Sequence, residues 1–135
     1  MRVVIDSNIF VMCMNNSSSY HVIFKKLVQG NYMLCVTTEI IFEYTEVFQR
    51  KFNSVKAEML TDFLNESPYV KNTDVFFKWD LIEEDNDDNK YVDCYIASYA
   101  DFLVTNDKHF KILTEGVYPK VNCVNIDDFL NILDR

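Results

Sequence analysis

Val3, Val4 and Ile5 stand side by side in a run that starts at Arg2 and ends on Asp6, and this unbroken apolar stretch constrains the fold more than any other feature. Side chains of a strand alternate between two faces, so a strand that is apolar throughout has no face to give to water. It belongs in a sheet covered on both sides, and the rest of the chain supplies the cover. Tyr20 to Val28 has helical spacing, with Val22, Ile23, Leu27 and Val28 apolar and Gly30 placed as the stop. Met33–Val36 reads as a second strand, and Thr37 or Thr38 caps a helix from about Glu39 to Arg50. A further helix runs from about Val55 to Leu64, ending before Pro68. A helix from about Asn89 to Ala100, strands at Phe102–Thr105 and Val121–Ile126, and a short amphipathic helix at Asp127–Leu133 continue the alternation. Strands alternating with helices predict an α/β fold with a central parallel sheet.

The stretch Val70–Leu81 is the least legible. Phe76, Phe77 and Trp79 suit an extended segment or a short helix; ordinary core is the plain reading and a protein-contact patch the functional one. With 135 residues, 49% hydrophobic, the chain is long enough for one cored domain spanning 1–135, and wholesale disorder is excluded. No apolar run reaches the ~18 residues of a membrane span, and Asp6 falls too early for a secretory signal, so a cytoplasmic protein is expected. Cys13, Cys35, Cys94 and Cys123 form no C-x-x-C pair and read as buried thiols in a reducing compartment; His21 and His109 are isolated in sequence, which argues against zinc.

Thirteen basic residues against 21 acidic ones give a net charge of −8. That excludes broad phosphate-backbone binding, which draws its affinity from many Lys and Arg. It leaves open a local acidic site that meets a polyanion through a divalent metal.

The acids fall where such a site would form. Asp6 ends the first strand and Asp107 follows the strand Phe102–Thr105, and ligands of open parallel sheets bind outside the carboxyl ends of strands. Singly, each is equally an ordinary helix cap. On the helix from Glu39, the residues Ile40, Ile41, Tyr44, Val47 and Phe48 make one stripe; Glu43 lies nearest its edge, while Glu39 and Glu46 read as solvated. On the later helix, Asp88 projects along the face of Tyr91, Val92, Tyr95, Ile96 and Tyr99, and Asp93 is turned roughly 130° from it. Glu83, Glu84 and Asp85 read as a solvated run. Asp85, Asp87 and Asn89 mimic a calcium loop, but Lys90 and Ile96 stand where that loop needs Gly and Glu. Four inward carboxylates cannot all ionise together without cations. An all-oxygen set favours Mg²⁺ or Mn²⁺, and the chemistry implied is phosphodiester hydrolysis.

Val4-Ile5-Asp6-Ser7-Asn8-Ile9-Phe10 resembles the opening motif of PIN domains, and Val104-Thr105-Asn106-Asp107-Lys108-His109-Phe110 is similar to their V-T-G-D segment. Thr38–Tyr44 fits the helix bearing their second acid. Asp88–Cys94, followed by Ala100-Asp101, resembles the third acidic segment of the VapC-like branch, commonly described as the toxin component of toxin–antitoxin pairs. The resemblance runs from Val3 to the closing Val124–Leu130. It implies a three-layer α/β/α fold with a sheet of about four or five strands and a metal-dependent ribonuclease site. Asp6, Glu43, Asp88 and Asp107 would be its catalytic and metal-holding acids, with Asp93 as a fifth candidate. Ser7, where Thr is usual, keeps a hydroxyl for a carboxylate or a bound water; Asn8 would orient Asp6; Thr105 and Asn106 would support Asp107, with Asn106 replacing Gly and tolerating left-handed backbone. The implied cofactor is Mg²⁺ or Mn²⁺ and the implied partners are an RNA substrate, a small antitoxin protein and a second copy of the chain.

The leading expectation is therefore a Mg²⁺- or Mn²⁺-dependent endoribonuclease acting as a toxin. The alternative is a catalytically weak PIN-like module acting through protein or RNA binding. A phosphatase of the haloacid dehalogenase type wants Asp where Asn8 stands, and a response-regulator receiver wants a strand-terminal Lys that the chain lacks.

Overall fold

The computed structural model describes residues 1–82, 88–110 and 119–134. The acidic run at 83–87, including the residues read as solvated, lies outside them. Five described strands make one sheet: β1 (Arg2–Ile5), β2 (Met33–Val36), β3 (Val70–Asn72), β4 (Phe102–Val104) and β5 (Cys123–Val124). Their order is β3-β2-β1-β4-β5 and every pairing is parallel, with Val3 opposite Leu34 on one side and Phe102 on the other. Val3, Val4 and Ile5 are fully buried, as a central strand apolar on both faces requires. The fold is three-layer α/β/α.

The helices are α1 (Ser7–Met14), α2 (His21–Val28), α3 (Thr38–Lys51), α4 (Ser54–Glu66), α5 (Asn89–Ala97) and α6 (Ile126–Leu133). The chain steps outward from β1 to β2 to β3, then returns to β4 on the other side of β1. Right-handed crossovers then place α1 to α4 on one face and α5 on the other. Contact of Tyr32 with Phe129, ring centroids 5.4 Å apart, puts α6 with the first group. No described helix is long and apolar enough to cross a membrane.

Local chemistry sets the ends of these elements. Thr37 caps α3 by accepting from the Ile40 N–H, Asn53 caps α4 through Lys56, and Asn125 caps α6 through Asp128. Gly30 closes α2 at φ +81, with the Gly30 N–H on the Leu27 carbonyl and the Asn31 N–H on that of Lys26. The expectation missed α1 outright. Its residues Ile9, Phe10, Val11 and Cys13 are buried on more than one side, which erases helical periodicity. The legible signal was Asp6 itself, whose carboxylate accepts from the Asn8 N–H as the cap. α5 stops at Ala97 and not Ala100, since Tyr99 turns left-handed at φ +57. β5 is shorter than Val121–Ile126 because Ile126 already begins α6.

Val70–Leu81 resolves into the edge strand β3 followed by a segment without regular structure. It is not ordinary core at its aromatics: Phe76 is 95% and Phe77 63% exposed.

Candidate metal centre and active site

The topology puts the ends of β1 and β4 side by side where the strand order reverses. Asp6 leaves β1 there, its backbone N–H on the Val104 carbonyl at 3.0 Å, and Thr105 to Asp107 leave β4. Such a switch point opens a crevice that no strand-to-helix loop crosses. The first residues of α5 and the second turn of α3 close it from the sides.

The two strand-end acids are held by identifiable donors. The Thr105 hydroxyl donates to Asp6 Oδ2 at 2.9 Å and accepts the Asp107 backbone N–H at 3.0 Å, so one side chain sets both strand-end acids. Asn8 orients Asp6 through its backbone N–H, at 3.4 Å from Oδ1, while its side chain is exposed. Asp107 Oδ1 accepts the His109 backbone N–H at 2.9 Å and lies 3.4 Å from His109 Nδ1. Asn106 does not adopt the left-handed geometry allowed for it; its side-chain carbonyl accepts the Ile126 N–H at 3.1 Å, tying the site to the start of α6.

Glu43 is fixed through α3 and α5 together. Its neighbour Tyr44 is fully buried, stacks on Phe10 at 4.4 Å and donates its hydroxyl to the Ile5 carbonyl, which anchors α3 to the residue before Asp6. The Tyr91 hydroxyl donates to Glu43 Oε2 and accepts the Ser7 N–H at 3.2 Å, and Lys90 Nζ sits 3.3 Å from Glu43 Oε1. The Ser7 N–H is the first amide of α1 and has no partner within its own helix, so Tyr91 serves as its cap.

Burial raises the Asp6 carboxyl above its ordinary range; the Thr105 hydroxyl and the Asn8 N–H oppose the rise, and the Asp107 charge adds to it. Burial likewise raises Glu43, against the lowering effect of Lys90 and with the Asp6 charge pushing the same way as burial. The Ser7 hydroxyl lowers both. The two carboxyls are thus poised to ionise more readily when a cation arrives.

The carboxylates do not all meet at one point. Asp88, Asp107 and His109 bring ligand atoms within 4.8 Å of one another, each half-buried, whereas Asp6 and Glu43 stand outside that group. Asp88 occupies the cap position of α5 without making a capping bond there. Asp93 is turned elsewhere: it is buried and accepts the Trp79 N–H at 3.0 Å, in a cavity of about 200 Å³ shared with Thr37, Thr73 and Lys78. The wheel that set it off the apolar face of α5 was right, but the segment after β3 covers that side. Burial raises its carboxyl, and the Trp79 N–H opposes this. Glu39 and Glu46 are exposed, as read. His109, isolated in sequence, is the residue that reading missed; its place two residues after Asp107, across a 3-10 turn over Lys108–Phe110, was the available signal.

Two carboxylates and an imidazole, from the start of α5 and the segment after β4, suit a divalent ion of hard to intermediate character, and the nitrogen leans the set toward Mn²⁺ over Mg²⁺.

A family model described as the PIN domain matches residues 2–109. Among solved structures, the chain is similar to one described as VapBC2 from Rickettsia felis bound to a DNA fragment from their promoter. The identity is 19% and the TM-score 0.64, with 93% of this chain and 98% of that chain covered. No curated protein sequence matches.

Proposed function

This chain belongs to the PIN domain family, and from that premise we propose that it is a metal-dependent endoribonuclease, the toxin of a toxin–antitoxin pair. One observation carries the reading: Asp88, Asp107 and His109 converge within 4.8 Å of one another, at the carboxyl edge of the sheet where the Thr105 hydroxyl ties Asp107 to Asp6. Similarity in fold to a chain of a VapBC2 complex supports a small antitoxin protein as partner. None of the four cysteines is in a disulfide, which suits a reducing cytoplasm.

In this reading Asp107, Asp88 and His109 hold the ion. When bound, Mg²⁺ or Mn²⁺ polarises a phosphoryl oxygen and lowers the pKa of attacking water. Asp6, held by Thr105 and facing the Asp107 charge, is placed to orient that water and take its proton, a role its raised carboxyl favours. Glu43 steadies the opposite wall through Tyr91 and Lys90. The test is cleavage of a single-stranded RNA with Mn²⁺, with EDTA, and in Asp107→Asn. Removing one ligand of a three-ligand set should abolish cleavage and the Mn²⁺-induced rise in melting temperature together. Metal-dependent cleavage that survives Asp107→Asn refutes the assignment.

The exposed aromatics favour a second reading, a PIN-like module acting by association. Phe76 and Phe77 face solvent, and Phe77 packs edge-on against Trp79 at 4.8 Å. Growth arrest on expression separates the two readings. The nuclease loses it with Asp107→Asn, whereas the module loses it with Phe76→Ser/Phe77→Ser and keeps it with Asp107→Asn.

A further inference from the structure

We propose that Lys90 supplies the second positive charge of this centre, so that the site takes one divalent ion, at Asp88, Asp107 and His109, and the protein's own ammonium fills the Glu43 side. The inference deepens the nuclease reading and rests on it.

Both Glu43 oxygens are already engaged. Lys90 Nζ lies 3.3 Å from Oε1, and the Tyr91 hydroxyl donates to Oε2. A second ion at Glu43 would stand against the Lys90 ammonium, like charge beside like charge, while the ammonium already balances the carboxylate. Lys90 is also an unusual choice for its position. It is the second residue of α5, where the positive end of the helix dipole disfavours a cation. A surface lysine escapes that penalty by extending into water; this one does not, since its side chain is only 17% exposed. Its Nζ instead sits 5.8 Å from the centroid of the Tyr91 ring, a second favourable contact for a desolvated ammonium. Lys90 is thus a largely buried ammonium at the unfavourable end of a helix, held against a carboxylate of the site.

The location fits a role toward a phosphate. Lys90 stands between two cavities, one lined by Thr37, Thr73 and Lys78 and the other by Phe42, Glu46 and Arg50. Lys90 lines both cavities, whereas Glu43 lines only the second, so a phosphodiester in either one has the ammonium in its wall. Lys90 then does at one side of the crevice what a second metal does in two-ion nucleases, neutralising charge on the reacting phosphoryl group. It also positions Glu43 and, through Tyr91, the start of α1.

The experiment counts bound Mn²⁺ by electron paramagnetic resonance and by calorimetry on the full chain, with thermal melting to check folding. The wild type is expected to bind one ion, lost in Asp107→Asn. Lys90→Met keeps the aliphatic stem and removes the charge; it should bind a second ion, and adding Glu43→Gln should remove that ion again. Lys90→Arg should stay at one. Two ions in the wild type, or a single unchanged ion in Lys90→Met, overturn the proposal while the nuclease reading stands on the Asp107-dependent ion. Absence of any Mn²⁺ binding at millimolar metal overturns both. If Lys90→Met does not fold, Glu43→Gln decides: an unchanged single ion supports the proposal, and loss of an ion refutes it.

Discussion

Replacing Tyr91 by phenylalanine tests how the candidate centre is built into the fold. The ring is fully buried and remains, so no cavity forms and the packing of α5 on the sheet is kept. What disappears is one oxygen with two duties: accepting the Ser7 N–H at 3.2 Å in a buried setting, and donating to Glu43 Oε2. A buried donor left without a partner costs about 1–3 kcal/mol, whereas the same loss in contact with water costs a few tenths. With a urea m-value near 2 kcal/mol/M, the unfolding midpoint should fall by about 0.5–1.5 M. The melting temperature should drop by about 3–5 °C per kcal/mol for a chain of this length. Tyr95→Phe is the matched control, because the Tyr95 hydroxyl also accepts a backbone N–H, that of Asn122 at 3.1 Å, but in an exposed position. Urea unfolding of the two variants followed by circular dichroism makes the comparison. Equal losses, or none in Tyr91→Phe, would refute the claim that this hydroxyl caps α1 and anchors Glu43. A double-mutant cycle with Glu43→Gln should show coupling of about 0.5–3 kcal/mol, as for groups sharing one network.

Two further outcomes follow from the same reasoning. Burial holds the Asp6 carboxyl above its ordinary range, so the native chain binds that proton more tightly than the unfolded one. The stability this confers is full below about pH 4 and is lost as pH rises through the raised value. Metal-free Asp6→Asn should therefore match the wild type in acid and exceed its melting temperature near neutrality; a variant less stable at neutral pH contradicts this. Gly30→Ala should cost about 1–2 kcal/mol, because Gly30 is left-handed at φ +81 and a Cβ there would lie 2.5 Å from the Tyr69 ring. A melting curve unchanged from wild type would show that neither effect operates.

Much of this protein is legible in its sequence, and for local reasons. Val3, Val4 and Ile5 announce a strand covered on both faces because strand periodicity leaves no other place for them. Thr37 and Gly30 mark helix ends because orphan amides and a left-handed turn need those residue types. Asp6 and Asp107 read as site residues because strand ends are where parallel sheets leave room. Failures came where packing overruled periodicity. α1 is buried on several sides, so its pattern vanished, and the segment after β3 folds over Asp93, so a residue turned off the apolar face of its helix is nonetheless buried.

Which acids share an ion is a different kind of question. Asp88, Asp107 and His109 draw together while Asp6 and Glu43 stand apart, and His109 joins only because a 3-10 turn swings it back onto Asp107. Lys90, at the wrong end of a helix by local rules, faces Glu43 only because α3 and α5 close over the same sheet edge. Four of the five described strands, the caps at Thr37 and Gly30 and the supply of carboxylates can be read along the chain, since they depend on neighbouring residues. The tertiary structure alone decided which of them form one charged centre, since charges interact over ångströms of space and not along the chain.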